Sequence, residues 1–291
     1  MNEFVIVTDS ACDLPHEYAV KHELVVLPLR FTLKNVEYES TLDFKAMSAK
    51  DFYDTLRDKE YSKTSQVNAN AFANAFKEIL DQGKDVLAII LSSALSGTYN
   101  SAKIAKETLQ EDYPNQKIIL VDTKTGSLGQ GMVVDEAVRL KELGLSIEEV
   151  SEKLEAFVPH VYSIFTHDDL SHLAQGGRIG TFSLWLGNVL KIKPIISADD
   201  EGMLVPRNKV LGRKKSIQIL GSKVIEKFDK NVSEKIFISH ADCEDEALKV
   251  KERLERELGV TVYMFHMMGQ LIGSHGGPGT IAVFFGAKDK Q

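Results

Sequence analysis

Two cysteines in 291 residues, Cys12 and Cys243, are too few to staple a fold. With no framework of pairs they predict reduced thiols and a cytoplasmic location. No apolar run approaches the roughly 20 residues that cross a bilayer. The opening Met1-Asn2-Glu3 has no basic stretch and leads straight into a short β-rich run, which predicts no signal peptide. Basic excess is also missing: 35 Lys and Arg stand against 42 Asp and Glu, a net charge of −7. That is the wrong sign for a protein whose main work is holding DNA or RNA. A Walker motif is absent, and no Gly-x-Gly-x-x-Gly follows a strand to cradle a dinucleotide. There is no His-Glu-x-x-His and no Cys-x-x-Cys, and His160, His167 and His172 lack a ligand spacing, so no metal site is predicted.

What is present is an ordinary globular composition, 43% apolar and 26% charged. Short β-rich runs occur at Phe4–Val7, Val25–Phe31, Val86–Leu91, Ile118–Val121, Val161–Phe165, Pro194–Ser197, Lys235–Ser239, Val260–Phe265 and Ile281–Phe285. Between many of them apolar residues recur at helical spacing: Phe72, Phe76, Ile79 and Leu80; Val133, Ala137 and Leu140; Ile147, Val150, Leu154 and Phe157; Ile217, Leu220 and Val224; Ala247, Val250, Leu254 and Leu258. Leu143 to Ser146 is a minor break between two helices. Strands alternating with amphipathic helices predict an α/β fold with crossover connections and at least one largely parallel sheet. Near Pro159–His160 the alternation restarts, which divides the chain into 1–159 and 160–291.

Five segments carry candidate chemistry. Ser92-Ser93-Ala94-Leu95-Ser96-Gly97-Thr98 follows an apolar strand and precedes a helix from about Tyr99. Free N–H groups and hydroxyls at such a helix start suit a carboxylate or phosphate, or simply cap the helix. Ser62-Lys63-Thr64-Ser65-Gln66 precedes the Phe72 helix and offers hydroxyls near its start, or a polar loop. Gly273-Ser274-His275-Gly276-Gly277-Pro278-Gly279-Thr280 reads as a Gly-rich loop that lets backbone approach a ligand, with a His able to donate a hydrogen bond or move a proton, or as a tight turn. Gly176-Gly177-Arg178-Ile179-Gly180 sets a guanidinium in a turn, as a fork for an anion or an exposed charge. Lys191-Ile192-Lys193-Pro194 and Gly212-Arg213-Lys214-Lys215 form a basic stretch, as a surface for an anionic partner or a solvated face.

Taken in order, Val7-Thr8-Asp9-Ser10, Lys63-Thr64-Ser65-Gln66, Leu91-Ser92-Ser93-Ala94-Leu95-Ser96-Gly97-Thr98-Tyr99, Val121-Asp122-Thr123, Gly176-Gly177-Arg178-Ile179-Gly180, Lys193-Pro194-Ile195 and His275-Gly276-Gly277-Pro278-Gly279-Thr280 resemble the signatures of the bacterial DegV family. The resemblance covers nearly the whole chain. It implies two α/β domains, with a largely parallel sheet in the first, a mixed sheet in the second and a lipid tunnel between or within them. It implies a fatty-acid-binding carrier, with no catalysis of its own and no cofactor beyond the bound long-chain fatty acid. A separate ATP-dependent fatty-acid kinase phosphorylates the held carboxylate in trans, and the acyl phosphate feeds phospholipid synthesis. By the same resemblance Thr64, Ser96 and His275 bind the carboxylate, Ser65, Ser93, Gly97 and Gly276 form the shell behind them, and Arg178 faces the kinase. A monomer with transient peripheral membrane contact and no nucleic-acid partner is expected. The residue after His275 is Gly276 where the family often has Thr, and Val67 stands where it often has Pro.

The physics suits that role. Burying about sixteen carbons yields on the order of 12 kcal/mol gross at about 0.8 kcal/mol per methylene, and much of it is offset by ordering and desolvation. A buried carboxylate needs donors. Neutral hydroxyls supply them without the ion pair that would blunt the carboxylate as a nucleophile toward ATP. Phe72 and Phe76 are core by default, with tunnel contact as the alternative. Leu184, Trp185, Leu186, Val189 and Leu190 are likewise core by default, with a cover over the acyl tail, together with Phe182, as the alternative. Two other functions stay open at this point: a hydrolase or acyltransferase with Ser96 as nucleophile and His275 as base, for which no third carboxylate or Gly-x-Ser-x-Gly elbow is identified, and a carrier of another amphipathic anion.

Overall fold

The computed structural model of the chain describes residues 3–178 and 192–289. In chain order the elements are β1 (Phe4–Asp9), α1 (His16–Lys21), β2 (Val25–Leu27), β3 (Leu29–Leu33), β4 (Val36–Ser40), α2 (Ala49–Arg57), β5 (Lys63–Ser65), α3 (Ala69–Leu80), β6 (Asp85–Ile90), α4 (Thr98–Leu109), β7 (Ile118–Asp122), α5 (Leu128–Glu142), α6 (Ile147–Phe157), β8 (Val161–Thr166), α7 (Ser171–Gln175), β9 (Ile192–Ala198), β10 (Leu204–Leu211), α8 (Arg213–Lys227), β11 (Ile236–His240), α9 (Glu244–Leu258), β12 (Met264–Met267), α10 (Gln270–Gly276) and β13 (Ile281–Gly286).

The first sheet is parallel throughout, in the order β2-β1-β6-β7. Its central strand β6 is buried along its whole length. Side chains alternate between faces of a strand, so Val86, Ala88 and Ile90 meet Phe72, Phe76, Ala102 and Ala105 of α3 and α4. Leu87 and Ile89 meet Met132, Val133 and Ala137 of α5 and Val150 and Leu154 of α6 on the other face. Phe72 and Phe76 are therefore core residues. Asn68 caps α3 by accepting from the Ala71 N–H, and a Ser146–Glu149 capping box starts α6.

A second sheet, β4-β3-β5, is antiparallel. The run expected over Val25–Phe31 splits at Pro28: β2 pairs with β1 and β3 pairs with β4. Proline offers no ladder N–H there. The β3–β4 hairpin turns on Lys34 and Asn35, both at positive φ (52 and 63°), as a two-residue primed turn requires.

The third sheet is mixed, in the order β10-β9-β8-β13-β11-β12, with β11 and β12 parallel and the other neighbours antiparallel. Ile281, Val283 and Phe285 of β13 pack with Leu220 and Val224 of α8 and Val250 and Leu254 of α9. Ala282 and Phe284 turn to the opposite face and join the core around α5. Helix α5 thus lies between the parallel and mixed sheets and is buried almost all round. Its first turn makes close contacts: a Cβ on Gly129 would fall 2.7 Å from the Phe284 ring, and one on Gly131 would fall 2.9 Å from the Cys12 carbonyl oxygen. The α/β class with a parallel sheet is the one the strand and helix pattern predicts, and the mixed sheet is the one the family resemblance implies.

Two site segments differ locally from expectation. Thr64 lies on strand β5 and not at a helix start, because Asn68 takes the cap of α3. Residues Gly273 to Gly276 belong to helix α10 and not to a loop, which puts His275 in its last turn. The strand expected over Val260–Phe265 forms at Met264–Met267. No helix among the described residues is long and apolar enough to cross a membrane.

Candidate functional site

A cavity of about 340 Å³ lies where the carboxyl ends of the parallel strands, the face of the mixed sheet and α10 converge. That is within the roughly 300–1,000 Å³ usual for small-molecule sites. One part of its lining is polar and the rest is apolar.

The polar part is assembled from three distant stretches of chain. Thr64 comes from β5, Ser96 from the turn between β6 and α4, and His275 from α10. Thr64 Oγ1 and His275 Nε2 share a hydrogen bond of 2.8 Å. Ser96 Oγ accepts from the Thr98 N–H at 3.2 Å and shares a bond of 2.9 Å with Thr98 Oγ1, which closes a serine turn just ahead of α4, whose N-cap position is Gly97. Gln66 lies across Gly97, where a Cβ would fall 2.0 Å from its side-chain oxygen, and its amide donates to Ser101 Oγ at 2.9 Å. Ser65, Gly97 and Gly276 also line the cavity. Ser93 does not: it is exposed, and its hydroxyl and N–H both donate to the Asp122 carboxylate.

Burial pushes the His275 imidazole down to about 4, and the nearby Arg178 charge acts in the same direction. The ring is neutral at physiological pH. Its Nδ1 is buried without a hydrogen-bond partner among the described residues. A Cβ on Gly176 would fall 2.2 Å from that atom, so glycine there lets the turn after α7 close onto the ring. Arg178 also lines the cavity; it donates to the Gly176 carbonyl at 2.6 Å and the Leu95 carbonyl at 3.3 Å, tying its own turn to the Ser96 turn. In the basic stretch, Lys193 pairs with Asp168 and Arg213 with Glu246, while Lys214 and Lys215 are exposed. Ile179, Gly180, the tail candidates Phe182, Leu184, Trp185, Leu186, Val189 and Leu190, and Lys191 lie outside the described residues.

The apolar wall includes Leu91, Phe165, Leu204, Met268, Ile272 and Phe284. Three hydroxyls also border it, and each is tied up. Thr125 Oγ1 and Ser163 Oγ bond each other at 2.7 Å, while Ser127 Oγ donates to Asp13 at 2.6 Å and lies 2.9 Å from Ser239 Oγ. Burial raises the Asp13 carboxyl to about 7. The wall residues on β8, β13 and α10 escaped sequence reasoning: Ile281–Phe285 is apolar at every position and so does not say which face meets a cavity, and the Leu271-Ile272 pair just before Gly273 was the one local signal. Ser96 and His275 do not form a nucleophile–base pair: His275 Nε2 bonds Thr64, and no carboxylate orients Nδ1 among the described residues. No group of metal-ligating side chains occurs among the described residues.

A DegV domain-containing protein of Clostridium perfringens is 39% identical over 291 residues, with both chains covered completely. One from Lactococcus lactis is 35% identical, covering 97% of this chain and 96% of its own. Among solved structures, a stearic acid-binding protein of Eubacterium ventriosum superposes with a TM-score of 0.87 at 28% identity, covering 97% of this chain and 98% of that one. A fatty-acid-binding DegV family protein of Thermus thermophilus gives 0.85 at 27%, covering 99% and 100%. DegV of Bacillus subtilis, described as a fatty acid binding protein, gives 0.84 at 29%, again covering 99% and 100%. Residues 3–288 match the DegV family as a whole, described as uncharacterised. The chain belongs to the DegV family.

Proposed function

We propose that this chain is a fatty-acid carrier that encloses a long-chain fatty acid in the cavity and offers its carboxylate to a separate ATP-dependent kinase for acyl-phosphate formation. The observation that carries the reading is the joining of Thr64 and His275, 211 residues apart in sequence, by a 2.8 Å hydrogen bond at the polar end of an otherwise apolar cavity. In this reading Thr64 and Ser96 donate hydroxyl hydrogens to the carboxylate. With its proton so engaged, Thr64 Oγ1 accepts from the Nε2–H of a neutral His275. The imidazole is thus a positioning group that orients the threonine hydroxyl. Neutral donors balance a buried carboxylate without a direct ion pair, which keeps electron density on the oxygen that attacks phosphorus. Arg178, already engaged with two backbone carbonyls, marks the side on which the kinase docks. The fatty acids named for the related structures support the ligand class.

Mass spectrometry of an organic extract of the purified protein tests the ligand. A long-chain fatty acid near one equivalent is expected, and a phospholipid or isoprenoid acid in its place contradicts the reading. The kinase step is tested separately. The purified chain with ATP forms no acyl phosphate until a partner kinase is added, and formation by the chain alone contradicts that part.

A further inference from the structure

His167 follows the last residue of β8, and the residue lines the cavity. Its Nδ1 lies 2.9 Å from the Gly276 carbonyl oxygen and 2.7 Å from Thr280 Oγ1. A carbonyl only accepts, so Nδ1 carries the proton and donates. In a neutral imidazole the lone pair is then on Nε2. That atom is buried and has no hydrogen-bond partner among the described residues. Burial holds the ring neutral by pushing its pKa down to about 4. A buried acceptor left unpaired is costly, and native structures seldom leave one so. The carbonyl that fixes this ring belongs to the residue directly after His275, so His167 stands beside the polar end of the cavity. A carboxylate at neutral pH has no proton to give it. An O–H on the ligand does.

We propose that His167 Nε2 accepts a hydrogen bond from a hydroxyl carried by the acyl chain close to its carboxylate, so that the cavity favours hydroxylated fatty acids over plain ones. The inference rests on the fatty-acid reading above and specifies its substrate class. A hydroxyl on the second or third carbon would satisfy Nε2, whereas one at the far end of the chain would be buried against the apolar wall.

The test is competitive binding of three acids to the delipidated full chain: hexadecanoic acid, the same acid hydroxylated at the third carbon, and the same acid hydroxylated at the last carbon. One added hydrogen bond predicts about five- to tenfold tighter binding of the third-carbon form than of the plain acid, and weaker binding of the last-carbon form. His167→Asn keeps a donor toward Gly276 and removes the far nitrogen. It should equalise the plain and third-carbon acids, whatever it does to the affinity of both, and circular dichroism confirms that the variant is folded. Equal binding of those two by the unaltered protein, as a bound water on Nε2 would give, overturns the proposal and leaves the carrier reading intact. A preference that survives in a folded His167→Asn variant does the same. Failure of every acid to bind overturns both.

Discussion

The cavity presents hydroxyls in two places, and they do opposite things. At the polar end Thr64 bonds a neutral imidazole and Ser96 closes a turn ahead of α4, so both retain capacity toward a ligand. Along the wall Thr125 and Ser163 bond each other, and Ser127 gives its proton to Asp13. On the proposed fatty-acid reading, chemically similar side chains serve as an anion site in one place and an oily surface in the other. The difference lies in where each hydroxyl proton is already committed. A wall hydroxyl satisfied by its neighbour presents little unmet polarity to an alkyl chain, while an uncommitted one next to a carboxylate is a donor.

Filling the wall should break binding most severely. Ala198 lines the cavity and is buried. Ala198→Trp, by excluding about four methylenes at about 0.8 kcal/mol each, should weaken fatty-acid binding more than about a hundredfold. Isothermal titration of the folded variant measures this, and unaltered affinity would place the acyl chain elsewhere. The contrast between the two hydroxyl sets is sharpened by one substitution made twice. Thr64→Val should cost about ten- to hundredfold in affinity for the acid, as loss of a charge-assisted hydrogen bond does, and little for the corresponding fatty alcohol. Thr125→Val should leave affinity within about twofold and instead lower unfolding free energy by about 1 kcal/mol, read from urea denaturation.

The pH response is a smaller effect and separates the two groups again. His275 and His167 are held near 4 by burial, below the usual 6.5. Between those values the unfolded chain binds protons that the folded chain refuses. Their stabilisation is therefore present above about 6.5 and lost as the pH falls toward 4. Asp13 behaves in reverse: burial lifts it from 3.8 to about 7, so its contribution is present below about 4 and lost as the pH rises through 7. Asp13→Asn should remove that decline, leaving a stability profile that rises more steeply from pH 4 to 7 than the unaltered protein's. Urea midpoints across the range check it, and parallel profiles contradict it.

Much of the fold was legible because its signals are periodic. The run Val86–Leu91 announced a central strand, and the spacings from Phe72 to Leu80 and from Ala247 to Leu258 announced helices that the structure contains. What escaped were polar edge elements. Val36-Glu37-Tyr38-Glu39-Ser40 and Leu204–Leu211 are strands whose charged and half-exposed residues carry no apolar alternation. Lys63–Ser65 is too short to show any. The helix Gln270–Gly276 was hidden by its glycines, which read locally as a turn, although packing beside α7, α2 and β3 holds it helical. The site was legible as a set of motifs, and its geometry was not. No local pattern tells that Thr64 meets His275, that Ser93 turns outward to Asp122, or that Gly176 leaves room for an imidazole. Those facts depend on how three sheets and α5 bring distant turns together.

The central claim is that the acid group lies at Thr64, Ser96 and His275 while the chain runs along the paired-hydroxyl wall. Carbon-13 NMR of a bound fatty acid labelled at its carboxyl carbon tests this most directly. The account predicts a single bound resonance that moves in Thr64→Val and Ser96→Ala and stays in place in Thr125→Val. A resonance that moves only with Thr125→Val would contradict it.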